Sequence, residues 1–340
     1  MTSAFRTPRL IEEAREIEAA LGLAVGALDA RYNPALHALH DESGAERAVL
    51  LESGRPGTLS RKISRLAGDA DAAQELVADR LRACFEAGVS SVKWEDAGAA
   101  WAGLARRPGS EALPAPAVSG PGTEAPDAAW VRYAEAWERP DAPYYRQTTD
   151  FSCGPASLLM AEACRLGAEW MTRDRERRIW RRATRFTGCG VWALALQVDR
   201  DRFRLEAYDT EFLAPQVIPM EPRDARAFAN EDDIALAAEA GLEIQERVFE
   251  ISEVIAAVDR GARVLLLISE QRFHGSESPH WVVAHAHRDG VLLINDPWVE
   301  TARGESWVDA VDIPVTAAEL DGMAWWGDPP YRSVLVLEEG

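Results

Sequence analysis

Residues 146–160 read Arg-Gln-Thr-Thr-Asp-Phe-Ser-Cys-Gly-Pro-Ala-Ser-Leu-Leu-Met, and this stretch decides the fold of the second half of the chain. Pro155 suits the first turn of a helix, where a missing backbone N–H costs nothing, and good helix formers follow it. Cys153 is therefore predicted at a helix N-terminus, where the helix dipole and unpaired N–H groups favour the nucleophilic thiolate. Gln147 ends the extended segment before it and is a candidate donor to an oxyanion beside the Cys153 backbone N–H.

A base for Cys153 must come from elsewhere in the chain, and residues 279–298 contain the best candidate. Apolar and β-branched runs at 281–286 and 291–295 predict the two strands of a hairpin, with Asp-Gly at its turn. A further strand is predicted at 264–268. Together with the helix that follows Cys153, these strands indicate an α+β fold.

The register of this hairpin decides whether an imidazole and a carboxylate meet. If residues 288–290 form a three-residue loop, His287 pairs with Val291, and the even-numbered residues of both strands share one face. His280 and Asp296 then lie on that face at its open end, about 7 Å apart at the Cα level, within reach of a hydrogen bond. A two-residue turn would place them on opposite faces. The apolar residues predicted on the same face are Val282, Ala284, Ala286, Leu292 and Ile294.

Other histidines compete for a functional role. His285 and His287 are predicted on the opposite, odd-numbered face and could together bind a metal, whereas His274 lies in a loop-like segment. A zinc site needs a third ligand at suitable spacing, which we do not find in the sequence, so no metal site is predicted. Ordinary surface or packed histidines are the alternative.

Three motifs in this order resemble the bacteriocin-processing, double-glycine-leader cysteine peptidase family, over about residues 140–340: Gln147 to Ala156, His280 to Val283, and Asn295-Asp296-Pro297. The resemblance implies a papain-like fold, in which a helix carrying the cysteine packs on an antiparallel sheet carrying the histidine and aspartate. It also implies Cys153 as nucleophile, His280 as base, Asp296 as the residue that orients the imidazole, and Gln147 as oxyanion donor.

A Pro-, Gly- and Ala-rich stretch suggests the domain boundary. We predict an N-terminal α/β domain of unknown role over 1–105, a linker over 106–138 and the peptidase-like domain over 139–340. In the N-terminal domain, helices are predicted over 10–21 and 69–87, and short strands flank the second helix at 47–51 and 89–94.

Composition limits the classes of binding partner and the cellular compartment that we expect for this protein. The net charge of −19 disfavours nucleic acid and anionic membranes as partners. The sequence shows neither a secretion signal nor an apolar run long enough to cross a membrane, and its four cysteines lack the spacing of a disulfide scaffold. We therefore expect a cytoplasmic protein with free thiols and no cofactor.

An arginine-rich helix is predicted after the cysteine helix. It carries Arg173, Arg175, Arg177, Arg178, Arg181, Arg182 and Arg185 in an otherwise acidic protein. A solvated helix face and a site for an acidic peptide or carboxylate are both compatible with this pattern.

The residues together predict a thiol-dependent hydrolase of peptide or amide bonds that uses Cys153, His280, Asp296 and Gln147. An acyl or peptidyl transferase would need the same parts, because it differs only in the amine that replaces water. A non-catalytic peptide-binding module on the same fold is the third possibility. The sequence does not predict an oligomeric state.

Overall fold

The computed structural model describes residues 29–95, 109–117, 128–137, 141–184, 188–210 and 223–340. The chain divides into two compact units. The first comprises the described parts of Met1–Ala115, Pro126–Glu138 and Val299–Asp309. The second comprises the described parts of Pro116–Ala125, Arg139–Trp298 and Ala310–Gly340.

The first unit contains a sheet and a helix. Its elements are β1 (Ala35–His40), β2 (Glu46–Ser53), β3 (Ser60–Gly68), α1 (Ala70–Glu86), β4 (Ser91–Glu95), β5 (Ser110–Ala112) and β6 (Ala129–Tyr133). The strand order is β1-β2-β3-β4-β6-β5, and every neighbouring pair is antiparallel except β3 and β4. The helix predicted over 69–87 is confirmed, since the Asp69 carboxylate caps α1 by accepting from the Ala72 N–H at 2.9 Å. The helix predicted over 10–21 lies outside the described residues.

The stretch predicted as a linker, 106–138, contains two strands of this sheet, β5 and β6. In β6 the buried Ala129, Val131 and Tyr133 alternate with the less buried Trp130 and Arg132, the period expected of a strand packed on one face. The Pro, Gly and Ala residues around these short strands obscure that alternation in the sequence.

The segment Val299–Asp309 belongs to the first unit, although it directly follows Trp298 of the second unit in the chain. Within the first unit, Arg55 Nε donates to Glu305 Oε1 at 2.8 Å, and Tyr32 donates to the same oxygen at 2.7 Å. Lys62 forms an ion pair with Asp309. Both ion pairs are buried, so they fix this segment to the sheet.

The second unit is built around a larger sheet. Its helices are α2 (Cys153–Leu166), α3 (Arg173–Ala183), α4 (Val191–Ala195), α5 (Arg223–Glu239), α6 (Ile251–Asp259) and α7 (Ala317–Met323). Its strands are β7 (Phe203–Asp209), β8 (Gln245–Glu246), β9 (Arg263–Ser269), β10 (Pro279–Arg288), β11 (Val291–Asn295), β12 (Ile313–Thr316) and β13 (Ser333–Glu339). Short 3-10 turns in the two units lie at Ala30–Tyr32, Ala168–Trp170, Thr301–Arg303 and Trp307–Asp309.

The strand order of this sheet is β12-β11-β10-β9-β13-β7-β8, antiparallel except between β7 and β8. The predicted α+β class is confirmed. Apolar residues of β9 to β13 pack with α6 and α7 into one buried cluster. Helix α2 is held to β10, because the Ser157 hydroxyl donates to the Trp281 carbonyl at 3.0 Å.

The predicted turn of the β10–β11 hairpin is wrong. Arg288 pairs with Val291, so the turn has two residues, and both Asp289 and Gly290 have positive φ, which matches the right-handed strand twist. A bulge at His285 then shifts the register by one residue, and Ala284 pairs with Ile294 as predicted. The wrongly predicted turn and the unpredicted bulge shift the register by one residue in opposite directions. The pairing at the open end of the hairpin is therefore the predicted one.

The bulge also changes which residues share a face. Four residues predicted on one face lie together in the buried cluster: Val282, Ala284, Leu292 and Ile294. Ala286, which was predicted on the same face, is outside that cluster and pairs with Leu293.

No helix within the described ranges is long and apolar enough to cross a membrane.

Candidate active site

The thiol of Cys153 lies at the first residue of α2, as predicted, and is partly exposed. Ser152 occupies the N-cap position, yet its side chain makes no capping hydrogen bond. Its hydroxyl donates instead to Glu176 Oε1 at 2.5 Å. The Ser152 side chain therefore leaves the first N–H groups of α2 free to stabilise negative charge on the sulfur or on a bound oxyanion.

The structure brings His280 and Asp296 together. His280 Nε2 lies 2.6 Å from Asp296 Oδ1, and both side chains are buried. The same carboxylate oxygen accepts the Trp298 N–H at 2.8 Å, and Tyr144 donates to the Asp296 carbonyl at 2.9 Å. These bonds fix the carboxylate, which in turn fixes the orientation of the imidazole ring.

Two further groups face the His280 ring. The Cys153 side chain interacts with the ring and raises its pKa, and Glu270 Oε1 lies 3.5 Å from Nδ1. Sequence reasoning missed Glu270. It follows β9 and reaches the site because β9 pairs with β10, a long-range contact that the local pattern around Glu270 does not indicate.

The charges around the ring control its protonation. Burial alone would lower the pKa of His280, but the charges of Asp296 and Glu270, the hydrogen bond that the ring donates to Asp296, and the interaction with Cys153 outweigh it. The pKa of His280 is therefore well above its usual range.

Gln147 lies next to these residues and is buried. Its backbone N–H donates to the carbonyl of Pro297, the residue after Asp296, at 3.0 Å. Its side-chain Nε2 donates to the Thr149 carbonyl at 2.7 Å. A primary amide has two N–H donors, and the bond to Thr149 uses one of them.

Glu176, on α3, organises the segment between Gln147 and Cys153. Its buried carboxylate accepts hydrogen bonds from the Tyr145 hydroxyl, the Thr148 N–H and hydroxyl, and the Ser152 hydroxyl, at 2.5–2.9 Å. Sequence reasoning missed Glu176, although a signal was present. This acid lies at helical spacing with Ile179 and Ala183, on the inward face of an arginine-rich helix.

Close packing joins α2 to the strand that carries His280. A methyl group at Gly154 would lie 3.2 Å from Leu194 Cδ1 and from Trp281 Cδ1, and 3.3 Å from Cys189 Cβ. Trp281 Nε1 also donates to the Cys189 carbonyl at 3.1 Å. Position 154 therefore accepts only glycine without a shift of its neighbours.

The other cysteines have environments that suppress the thiolate. Burial is the main cause in each case, and it raises the pKa of Cys84 to about 11, that of Cys189 to about 12, and that of Cys164 above its usual range. These thiols are internal controls for any test of Cys153.

The remaining predicted histidine positions differ from the sequence expectation. The bulge separates the two residues that were expected to share a face: His285 Nε2 lies 3.2 Å from Asp312, and His287 Nδ1 lies 3.0 Å from Asp259. His274 Nδ1 lies 3.6 Å from Glu270. Among the described residues there is no group of three or more His, Cys, Asp or Glu side chains that could hold a metal ion.

Comparisons with solved structures find acetyltransferases at low similarity. A putative acyl-CoA N-acyltransferase from Klebsiella pneumoniae is 13% identical, with a TM-score of 0.30, over 39% of this chain and 99% of that one. The ribosomal-protein-S18-alanine N-acetyltransferase from Escherichia coli is 12% identical, with a TM-score of 0.30, over 40% and 97%. Nourseothricin acetyltransferase is 11% identical, with a TM-score of 0.29, over 40% and 100%. Likeness at this level carries no inference about activity.

No curated protein matches the sequence. The model of the Peptidase_C39 like family matches residues 142–338, which is more than half of the chain and includes Cys153, His280 and Asp296. This match confirms the resemblance drawn from the three motifs and supports a cysteine peptidase-like role. The chain therefore belongs to the Peptidase_C39 like family.

Proposed function

We propose that the chain is a thiol-dependent hydrolase of peptide or amide bonds, with a papain-like arrangement of α2 on the sheet. The observation that carries the proposal is the buried pair of His280 with Asp296, at 2.6 Å, on the strand that packs against the N-terminus of α2, where Cys153 lies. A nucleophile beside a base that an orienting acid holds is the arrangement that activates a cysteine.

The first half of the reaction forms an acyl-enzyme. The Cys153 thiolate attacks the substrate carbonyl carbon, and the carbonyl oxygen gains the negative charge. The Cys153 N–H and the second N–H of the Gln147 amide stabilise this oxyanion. As the tetrahedral intermediate collapses, the C–N bond breaks and protonated His280 gives its proton to the leaving amine.

The second half regenerates the enzyme. Neutral His280 takes a proton from water, the hydroxide attacks the thioester carbonyl, and the C–S bond breaks to release the acid and the thiolate. Because Asp296 holds Nε2, the other ring nitrogen, Nδ1, which also faces Glu270 Oε1 at 3.5 Å, serves Cys153. No metal or organic cofactor is needed for these steps.

Selective alkylation tests the proposal. The full chain is treated with iodoacetamide near pH 6.5, and modification of each cysteine is followed by mass spectrometry. We expect Cys153 to react at least about 10-fold faster than the buried Cys84, Cys164 and Cys189. We also expect His280→Ala to remove most of that advantage. Equal rates at all four cysteines would reject the enzyme and favour a non-catalytic peptide-binding module.

Product analysis separates hydrolysis from acyl transfer. A cleaved test peptide is analysed with and without an added primary amine. Hydrolysis predicts the free acid in both cases, whereas transfer predicts that the amine adduct replaces it.

A further inference from the structure

Helix α3 carries four exposed arginines on the side opposite the buried Glu176: Arg177, Arg178, Arg181 and Arg182. They form two pairs at i,i+4 spacing, so their guanidinium groups are neighbours along the helix. Within the described ranges none of the four forms an ion pair, and Arg178 Nε reaches only the Asp174 backbone carbonyl, at 3.4 Å. In a chain with a net charge of −19, such a concentration of cations is unusual.

An exposed aromatic pair connects these arginines to the nucleophile. The Phe151 side chain is 45% exposed, and its ring centroid lies 5.4 Å from that of Trp180. Phe151 is two positions before Cys153, and Trp180 lies on α3 between the two halves of the arginine group. The aromatic pair therefore joins α3 to the segment that immediately precedes Cys153.

The inward face of α3 keeps this surface in place. Glu176 accepts hydrogen bonds from Thr148 and Ser152, the residues that follow Gln147 and precede Cys153. A ligand held on the outward face of α3 would therefore be fixed relative to the reacting sulfur.

We propose that the arginines at 177, 178, 181 and 182, together with Phe151 and Trp180, form a subsite for an acidic segment of the peptide substrate. The guanidinium groups bind glutamate or aspartate carboxylates as forked, charge-assisted pairs. An apolar side chain of the same peptide packs on the aromatic pair. This inference rests on the proposed function, because it makes the surface a part of substrate recognition.

Peptide binding tests the subsite without requiring turnover. The probe is a fluorescein-labelled peptide rich in glutamate with a single leucine, compared with its glutamine counterpart, and the protein is the full chain with Cys153→Ala. Fluorescence anisotropy should give a Kd at least about 10-fold lower for the glutamate peptide at low ionic strength, and added salt should reduce the difference.

Charge reversal tests whether the glutamate peptide binds at the arginines of α3. We expect the double variant R178E/R182E to lose the preference for glutamate. The matched control, R200E/R202E, reverses two exposed arginines before β7 in the same unit and should retain it. Equal affinity for the two peptides, or equal loss in both double variants, would overturn the proposal.

Further measurements test whether the bound peptide lies next to Cys153 and on Phe151. Another distinguishes a peptide from an anionic membrane as the ligand of the arginines. In the wild-type chain, bound glutamate peptide should slow alkylation of Cys153, and Phe151→Ala should weaken its binding by several-fold. Binding of phosphatidylserine vesicles without binding of the peptide would overturn the inference in favour of a membrane surface. Because binding is measured without the thiol, a failure here is distinct from a failure of selective alkylation.

Discussion

Strand β10 carries two buried imidazole–carboxylate pairs, and only one lies at a nucleophile. His280 lies 2.6 Å from Asp296, and five residues along the strand His285 lies 3.2 Å from Asp312. The side chains of both pairs are at most 5% exposed. The first pair meets the N-terminus of α2 and the thiol of Cys153, whereas the second lies at the bulge of the hairpin. Position relative to the helix, and not the pair itself, distinguishes a candidate active site from a structural contact.

The contacts around the second pair, His285 and Asp312, indicate that it stabilises the fold. Asp312 donates its backbone N–H to Asn295 Oδ1 at 2.8 Å, and Asn295 immediately precedes Asp296. The bulge at His285 restores the register that pairs Val283 with Asn295. We therefore expect the second pair to stabilise the hairpin end from which Asp296 projects.

Replacement of the two histidines should give the largest contrast. His280→Ala removes the proposed base, so kcat/KM for a cleaved peptide should fall about 1,000-fold or more. His285→Ala leaves the proposed base in place and should change kcat/KM by a few-fold at most. It should instead lower the free energy of unfolding by about 1–3 kcal/mol, because it disrupts a buried polar contact.

Peptide hydrolysis and denaturant unfolding measure these two effects. A comparable loss of activity in both variants at a temperature where both are folded would remove the distinction between the pairs.

Replacement of the two aspartates should give a smaller, pH-dependent contrast. The pKa of His280 is raised, so the imidazolium form persists above pH 6.5 and is lost as pH rises through the raised pKa. Asp296→Asn removes the nearest negative charge and should lower that pKa, which shifts the alkaline limb of kcat/KM to lower pH. It should also reduce kcat by about 100-fold, because the tautomer is no longer enforced.

Asp312→Asn is the matched control for this profile. We expect its alkaline limb to coincide with that of the wild type, with a lower Tm as its main effect. An unshifted limb in Asp296→Asn would show that another group controls the profile.

A methyl group between helix and strand should give the smallest effect. In Gly154→Ala the new Cβ meets Leu194 and Trp281 at 3.2 Å, so these side chains or α2 must shift by a few tenths of an ångström next to the strand that carries His280. Alkylation of Cys153 should slow several-fold. Gly190→Ala is the control, since Gly190 has a φ of −75° and its Cβ would meet nothing within 4 Å. Equal rates in the two variants would show that the contact at Gly154 does not set the approach of sulfur to imidazole.

Local sequence signals were sufficient to predict the helix and strands that carry the site residues. They were not sufficient to predict the register with which distant strands pair. Pro155 and the helix formers after it placed Cys153 at the start of α2, and β-branched runs placed the central strands. The hairpin turn was predicted incorrectly, and only the bulge, which an Ala-His-Ala sequence does not indicate, restored the pairing of Ala284 with Ile294.

The acids that complete the site were harder to predict. Glu270 reaches His280 only through the pairing of β9 with β10, which depends on the whole sheet. Glu176 had a local signal, a carboxylate on the inward face of α3, but its partners Thr148 and Ser152 lie more than twenty positions earlier in the chain.

The route of the chain after Asp296 has a practical consequence for dissecting the protein. The family match spans the segment Val299–Asp309, yet Glu305 and Asp309 in that segment have cationic partners at Arg55 and Lys62, far upstream. A fragment that starts at residue 139 would keep both carboxylates but lose both cations and the sheet to which these ion pairs fix the segment. The part of the chain that matches the family is thus not autonomous in sequence terms, and genetic separation of the two units would have to replace or excise Val299–Asp309.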